Sequence, residues 1–202
     1  MRKGMFGKLA VQNIRNNRST YVPYMLTCIF CIAMMYMMEF LRDCPTLEKA
    51  VPQAAEVRMI VGTGEVVVGI FCVIFLIYSN SFLMKHRQKE IGLFQILGME
   101  KKHLAKILFF ESLYLWAASL GIGILLGVLL YRLLFLVLMK LTGLNGTIGF
   151  AFSAKAMGST MLLFGLTFVI NFLLSLRQIH VSQPVELLHG GAQGEREPKR
   201  SF

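Results

Sequence analysis

Four long apolar runs, at 21–40, 66–83, 107–137 and 157–176, constrain the fold of this chain more than any motif in it. A backbone inside a bilayer must satisfy its own N–H and C=O groups, and within one segment only a helix does so. Crossing the hydrocarbon core takes about 20 mostly apolar residues. Each run is near that length, and the third exceeds it, so it is expected to tilt, kink or project beyond the bilayer. Composition agrees: 55% of the 202 residues are apolar and mean hydropathy is +0.61, too apolar for an ordinary soluble domain. The reading is an all-α polytopic membrane protein with four transmembrane helices. An amphipathic arm (1–20) precedes the four-helix domain (21–176), a polar segment (84–106) joins the second and third spans, and a tail (177–202) follows.

Charge gives the expected orientation. Most of the 21 basic residues flank the spans on one side. Arg2, Lys3, Lys8, Arg15 and Arg18 lie in the arm, and Lys85, Arg87, Lys89, Lys101, Lys102 and Lys106 in or beside the central segment. Arg177, Arg196, Lys199 and Arg200 are in the tail. The positive-inside rule then places both termini and the central segment in the cytoplasm of a cell whose plasma membrane the chain crosses. The net charge of +10 is explained by juxtamembrane residues that attract anionic lipid headgroups. No nucleic-acid module interleaves aromatic with basic residues, so nucleic acid is not an expected partner. The first apolar run reads as a retained span, because Glu39-Phe40-Leu41-Arg42 offers no signal-peptidase site.

Outside the spans the chain is sparing. The segments 41–60 and 140–156 are short, the first punctuated by Pro45 and Pro52 and the second rich in glycine, and neither has room for a folded outer domain. In the arm, Phe6, Leu9, Ala10 and Ile14 share one helical stripe, which reads as an interfacial helix. Ser19 and Thr20 are candidate caps for the first span, with Pro23 in its opening turn. In the tail, Pro184 can open a short helix that Gly190 ends. Of the four cysteines, Cys28, Cys31 and Cys72 fall within spans, where they read as small packing residues rather than disulfide or metal ligands.

The central segment is amphipathic. Ile91, Phe94 and Leu97 recur at helical spacing, Leu93 and Ile96 widen the stripe, and lysine and arginine crowd its flanks. A connection that needed only solubility would not require an apolar face. A short cytoplasmic helix that docks a partner is the expectation, with Gly98 ending it. In the third span, Ser119, Gly123 and Gly127 form a ridge at four-residue spacing that permits close backbone approach, within the bundle or to a second copy. Glu111 is expected to pair with Lys106 or Lys85, and Asn80 and Asn171 to bond across helices.

Catalytic signatures are absent. The chain has no phosphate loop, no HExxH and no GxSxG, and His86, His103, His180 and His189 are scattered rather than clustered. The expectation is a non-enzyme without metal or cofactor.

Three motifs in order carry a family resemblance: Leu9-Ala10-x-x-Asn13-Ile14-x-x-Asn17-Arg18, then Lys85-x-Arg87-x-Lys89-Glu90-Ile91-Gly92-Leu93-Phe94-x-Ile96-Leu97-Gly98-Met99, then Pro184-Val185-Glu186-Leu187-Leu188 with Gly194-Glu195-Arg196-Glu197-Pro198-Lys199. Together they resemble the FtsX-like permeases of ABC transporters, in particular the BceB-type branch linked to bacitracin and other cell-envelope-active peptides. The resemblance implies a non-catalytic permease subunit driven by a separate cytoplasmic ATPase. The segment after the second span would be a coupling helix seated in a groove of that ATPase. Carried over by position, Glu90, Ile91, Gly92, Leu93, Phe94 and Leu97 would form the docking surface, with Arg87 and Lys89 at its rim and Gly98 as the stop. Such permeases are expected to be much longer, with further spans and a large extracellular domain, and this chain matches their first four spans. A second permease half, a second copy or a sensor histidine kinase are therefore further expected partners. A truncated or regulatory membrane protein that binds an ATPase or sensor kinase without transporting is the alternative. An autonomous four-helix channel is disfavoured, because Asn80, Glu111 and Asn171 are the few buried polar candidates in the spans.

Overall fold

The computed structural model describes residues 4–43, 54–96, 98–99, 101–142 and 154–181, and every regular element among them is an α-helix. In chain order these are α1 (Gly4–Asn16), α2 (Arg18–Arg42), α3 (Ala54–Ile96), α4 (Lys101–Thr142) and α5 (Ala154–Val181). Four contain stretches long and apolar enough to cross a membrane: Arg18–Arg42, Ala55–Gln88, Lys101–Val137 and Lys155–Ile179. The tail motif, the prolines at 45 and 52 and the glycine-rich second connection lie outside the described residues.

Two helices are longer than the apolar runs suggest. At 43 and 42 residues, α3 and α4 each extend roughly 65 Å at about 1.5 Å per residue, twice the roughly 30 Å hydrocarbon core. Hydropathy marks where a helix meets lipid, not where it stops being helical. At its start α3 continues through Glu65, whose charge is held by Arg42 Nη1 at 2.7 Å. At its other end it runs through the amphipathic segment to Ile96. The docking segment is therefore no separate short helix: it is the end of α3, and α4 begins at Lys101.

At the chain's start, α1 and α2 are divided by Asn17 alone. Ser19 and Thr20 fall inside α2 rather than capping it. The turn is closed by the Asn17 backbone, whose carbonyl accepts from the N–H groups of Thr20 and Tyr21 at 3.0 and 3.2 Å. Its side chain makes no cap and points elsewhere. The buried side of α1 is Ala10, which packs toward α4, so this helix is an element of the bundle.

The central helix is α2. Half of its span is buried, against 22 to 28% of the other three, and it packs most extensively on α4 and next on α3. Neighbours in sequence, α3 and α4 touch little, because α2 lies between them along most of their length. The tight α2–α4 approach is made by the small-residue ridge. Ser119 is buried, and a Cβ at Gly123 would stand 2.7 Å from Ile32 Cγ2 and 3.1 Å from the Ile29 carbonyl. At Gly127 it would stand 3.0 Å from the Ala33 carbonyl. The ridge is occupied by a helix of the same chain. Cys31 and Cys72 sit in the adjoining core with Ile32, Met35, Leu76, Leu120 and Phe164, and Cys28 packs against it; all three cysteines are free thiols.

The end of the bundle remote from α1 is tied by ion pairs. Asp43, just past α2, lies 2.9 Å from Lys155 Nζ in the first turn of α5, with Arg58 Nη2 of α3 at 3.9 Å. Thr160 donates to the buried Glu39 at 2.7 Å. The hydrogen bond from Lys155 holds the Asp43 carboxyl below the usual aspartate range. Because the folded-state pKa is depressed, this pair stabilises the fold above the ordinary aspartate pKa, and the contribution is lost as pH falls through the lower folded value. Thermal unfolding measured from neutral to strongly acid pH is expected to show that loss, and Lys155→Ala to flatten the part due to Asp43.

Candidate functional site

The end of the bundle bearing α1 holds a charged hub. Glu111 of α4 is 1% exposed, and Arg87 of α3 is 5% exposed. Arg87 grips Glu111 with both terminal nitrogens, Nη1 to Oε2 and Nη2 to Oε1, the second at 3.2 Å. Asn13 of α1 donates to Oε1 at 2.7 Å and Tyr21 of α2 donates to Oε2 at 2.9 Å. A carboxylate has about four lone-pair sites, and all are used here. The guanidinium also lies 5.1 Å from the centre of the Tyr21 ring, a cation–π contact. One turn on, Glu90 lies 3.7 Å from Arg87 Nε and accepts from the Asn17 side chain at 2.5 Å. Four helices meet at one buried ion pair.

Beyond the hub, Ile91 packs with Met84, Leu104, Leu108 and Ile179, so the base of the α3–α4 hairpin is joined to α5. Gly92 is buried beside it. Leu93 and Ile96 face outward, 54% and 55% exposed. Past Ile96, Gly98 adopts φ +84°, the left-handed region that favours glycine, and a Cβ added there would meet nothing within 4 Å. Gly98→Ala therefore meets backbone strain and no clash, and is expected to cost about 1 kcal/mol, read from chemical unfolding. A groove of about 350 Å³ lies beside the tip, walled by Leu9, Gln12, Asn13 and Asn16 of α1, Met99, and Ile107 of α4.

The sequence-derived docking set thus divides. Arg87, expected at the rim, is turned inward, because Glu111 on the neighbouring helix offers a counter-charge that water cannot match in a closed bundle. Ile91 and Gly92 are buried at the base of the hairpin, Glu90 is half-buried and tied to Asn17 between α1 and α2, and Leu93 faces outward. The side chains of Lys89 and Phe94, and Leu97 as a whole, lie outside the described residues. Glu111 pairs with Arg87, correcting the expectation of Lys106 or Lys85. Sequence reasoning does not anticipate the arm's role in the hub, although a signal is present: Asn13, Asn17 and Tyr21 recur every four residues, one face of a helix.

The span interiors are also more polar than the sequence suggested. Glu39, Glu65, Ser119, Thr160, Thr167 and Ser175 are buried along with Asn80, Glu111 and Asn171. Hydroxyls such as those of Thr167 and Ser175 bond a carbonyl of their own helix, at 2.9 and 2.8 Å, and so add little polarity to a hydropathy window. Asn80 does bond across helices, donating to the Asn171 carbonyl at 3.2 Å and Ser175 Oγ at 3.1 Å.

Two of the motif segments, the arm and the α3 end, are therefore in direct contact through Asn13, Asn17, Arg87, Glu90 and Glu111. The FtsX-like permease C-terminal family profile matches residues 65–183, more than half of the chain. The bacitracin export permease protein BceB of Halalkalibacterium halodurans is 31% identical over 178 residues, 86% of this chain and 27% of that protein. An uncharacterized ABC transporter permease of Bacillus subtilis, YvcS, is 29% identical over 181 residues, covering 89% of this chain and 28% of its own length. The BceB protein of Bacillus subtilis is 29% identical over 160 residues, with 78% and 24% covered. The chain spans about a quarter of the length of these relatives. With four membrane-crossing helices and a family match across three of them, this chain belongs to the FtsX-like permease family of multi-pass membrane proteins.

Proposed function

We propose that this chain is a membrane part of a bacterial ABC permease, and that the α3–α4 hairpin tip docks a separate cytoplasmic ATPase. The observation that carries the reading is the tip itself. Leu93 and Ile96 stand exposed past the apolar span, on a helix fixed to α1, α2 and α4 by the Arg87–Glu111 hub. Apolar side chains on a rigid helix end fit a groove, and Lys85, Lys101 and Lys102 nearby supply orientation. The basic residues at this end favour the cytoplasmic side under the positive-inside rule, with both termini inside. A push on the tip would reach α1, α2 and α4 together, since all three are bonded to it at one point.

By likeness to proteins named as bacitracin export permeases, the cargo or signal is assigned to cell-envelope-active peptides or their lipid-linked targets. Further permease segments complete the transport path, and a second permease half, a second copy of this chain and a sensor histidine kinase are candidate partners.

The test is purification of the tagged full chain from its native host in mild detergent, comparing wild type with Leu93→Asp/Ile96→Asp. An ATPase subunit is expected with wild type and is expected to fall roughly 30-fold in the variant, since losing an interface anchor costs about 2 kcal/mol or more. Absence of any ATPase beside well-folded wild type would overturn the reading.

A further inference from the structure

Beginning about one turn from the hub along α2 and α4, a small cavity of about 30 Å³ lies between α2, α3, α4 and α5. Its walls include Tyr24, Ser112, Trp116, Ser119, Thr167 and Asn171. Three buried polar atoms of these walls make no hydrogen bond of acceptable geometry within the protein, Trp116 Nε1, Ser119 Oγ and Asn171 Oδ1, with the Cys28 thiol standing beside Ser119. Ser119 is 1% exposed and Asn171 is 5% exposed, so bulk water does not reach them.

The chemistry of the three atoms is complementary. An indole N–H only donates, an amide oxygen only accepts, and a hydroxyl does either. A water needs about 10–15 Å³ of free volume and two to four polar partners. The cavity has room for water and not for a larger solute.

We propose that this cavity is a binding site for a single ordered water. It accepts from Trp116 Nε1–H, donates to Asn171 Oδ1, and takes Ser119 Oγ as its third partner. The water joins α4 to α5 at the level where Asn171, through its backbone carbonyl, already accepts from Asn80 of α3. It thereby extends one polar seam across three helices. Because a water turns and exchanges partners more readily than a packed side chain, the seam holds α5 while permitting small sliding against α4.

The chain has one tryptophan, so the protein labelled with ¹⁵N-tryptophan gives one indole N–H resonance. In detergent micelles, a rotating-frame cross-relaxation spectrum of the full chain is expected to show a cross-peak from that proton to water, with the sign of dipolar contact. A peak with the sign of chemical exchange, or no peak, overturns the proposal. Ser119→Ala distinguishes a water from the serine hydroxyl: the peak is expected to persist, and its disappearance would assign it to the hydroxyl. Asn171→Leu removes the acceptor and fills the space, and is expected to abolish the peak while the indole resonance remains. An undiminished peak in that variant also overturns the site.

Discussion

Glu111→Ala is expected to destabilise the bundle by about 3–5 kcal/mol, because it leaves a buried charge without its partner. The variant leaves the Arg87 guanidinium enclosed with Glu90 as its remaining acid, at 3.7 Å, and strips the partner from Asn13 and Tyr21. Arg87→Ala is expected to cost a similar amount by the mirror argument, with two donors still satisfying Glu111. Removing both charges tests the origin of the loss. Arg87→Met/Glu111→Leu keeps volume and abolishes the uncompensated charge, and buried pairs replaced by packed apolar groups are often neutral in stability. The double variant is therefore expected to recover most of the loss, short of about 1–2 kcal/mol for the two orphaned donors. Unfolding of wild type, Arg87→Met, Glu111→Leu and the double variant in the same detergent closes the cycle. A double variant no more stable than Glu111→Ala would mean that the polar network around the pair, rather than its charge, holds the four helices. Stability regained without function would in turn separate folding from the coupling role proposed for the hub.

Gly123→Leu is expected to cost at least about 3 kcal/mol, the upper part of the range for overpacked interiors. Gly→Ala inside a helix ordinarily gains up to about 1 kcal/mol of propensity, so overlap alone sets the sign here. The atoms met are the branched Cβ of Ile32, 2.8 Å from the new Cβ, and a backbone carbonyl, neither of which can swing aside as a long side-chain end would. Relief requires α4 to back away from α2, which is the most extensive helix contact in the molecule. Gly121→Ala is the control: nothing lies within 4 Å of its Cβ, and a change within about 0.5 kcal/mol is expected. Equal losses at 121 and 123 in thermal unfolding would refute the close-packed seam.

The ridge and the hub differ in how far the sequence announced them. Ser119, Gly123 and Gly127 repeat every four residues, so a close helix approach was legible from the spacing alone. Their partner was not, because a small-residue stripe says how near another backbone can come and nothing about whose it is. For Glu111 the sequence offered several nearby cations, and proximity along the chain favoured Lys106. Arg87 won because its helix and that of Glu111 face each other at this level, and because its fork binds both carboxylate oxygens at once. The amphipathic stripe misled in a similar way. Ile91, Phe94 and Leu97 read as one docking face, yet apolar periodicity marks a side that avoids water without saying whether kin or partner covers it, and Ile91 is covered by α4 and α5.

What the sequence determined alone was the class of the molecule: four apolar runs of spanning length force four helices, because a backbone in hydrocarbon has no other local way to satisfy its hydrogen bonds. It also determined the turn at Gly98, since a left-handed residue is a local matter of having no Cβ. Only the tertiary structure decided that α2 is the central helix, that α3 runs unbroken from Ala54 to Ile96, and that α1 is bonded into the bundle. The reason is physical: spans, turns and stripes arise from the chain's own neighbours, whereas a buried charge is settled by whichever side chain from a distant helix reaches it first with matching geometry.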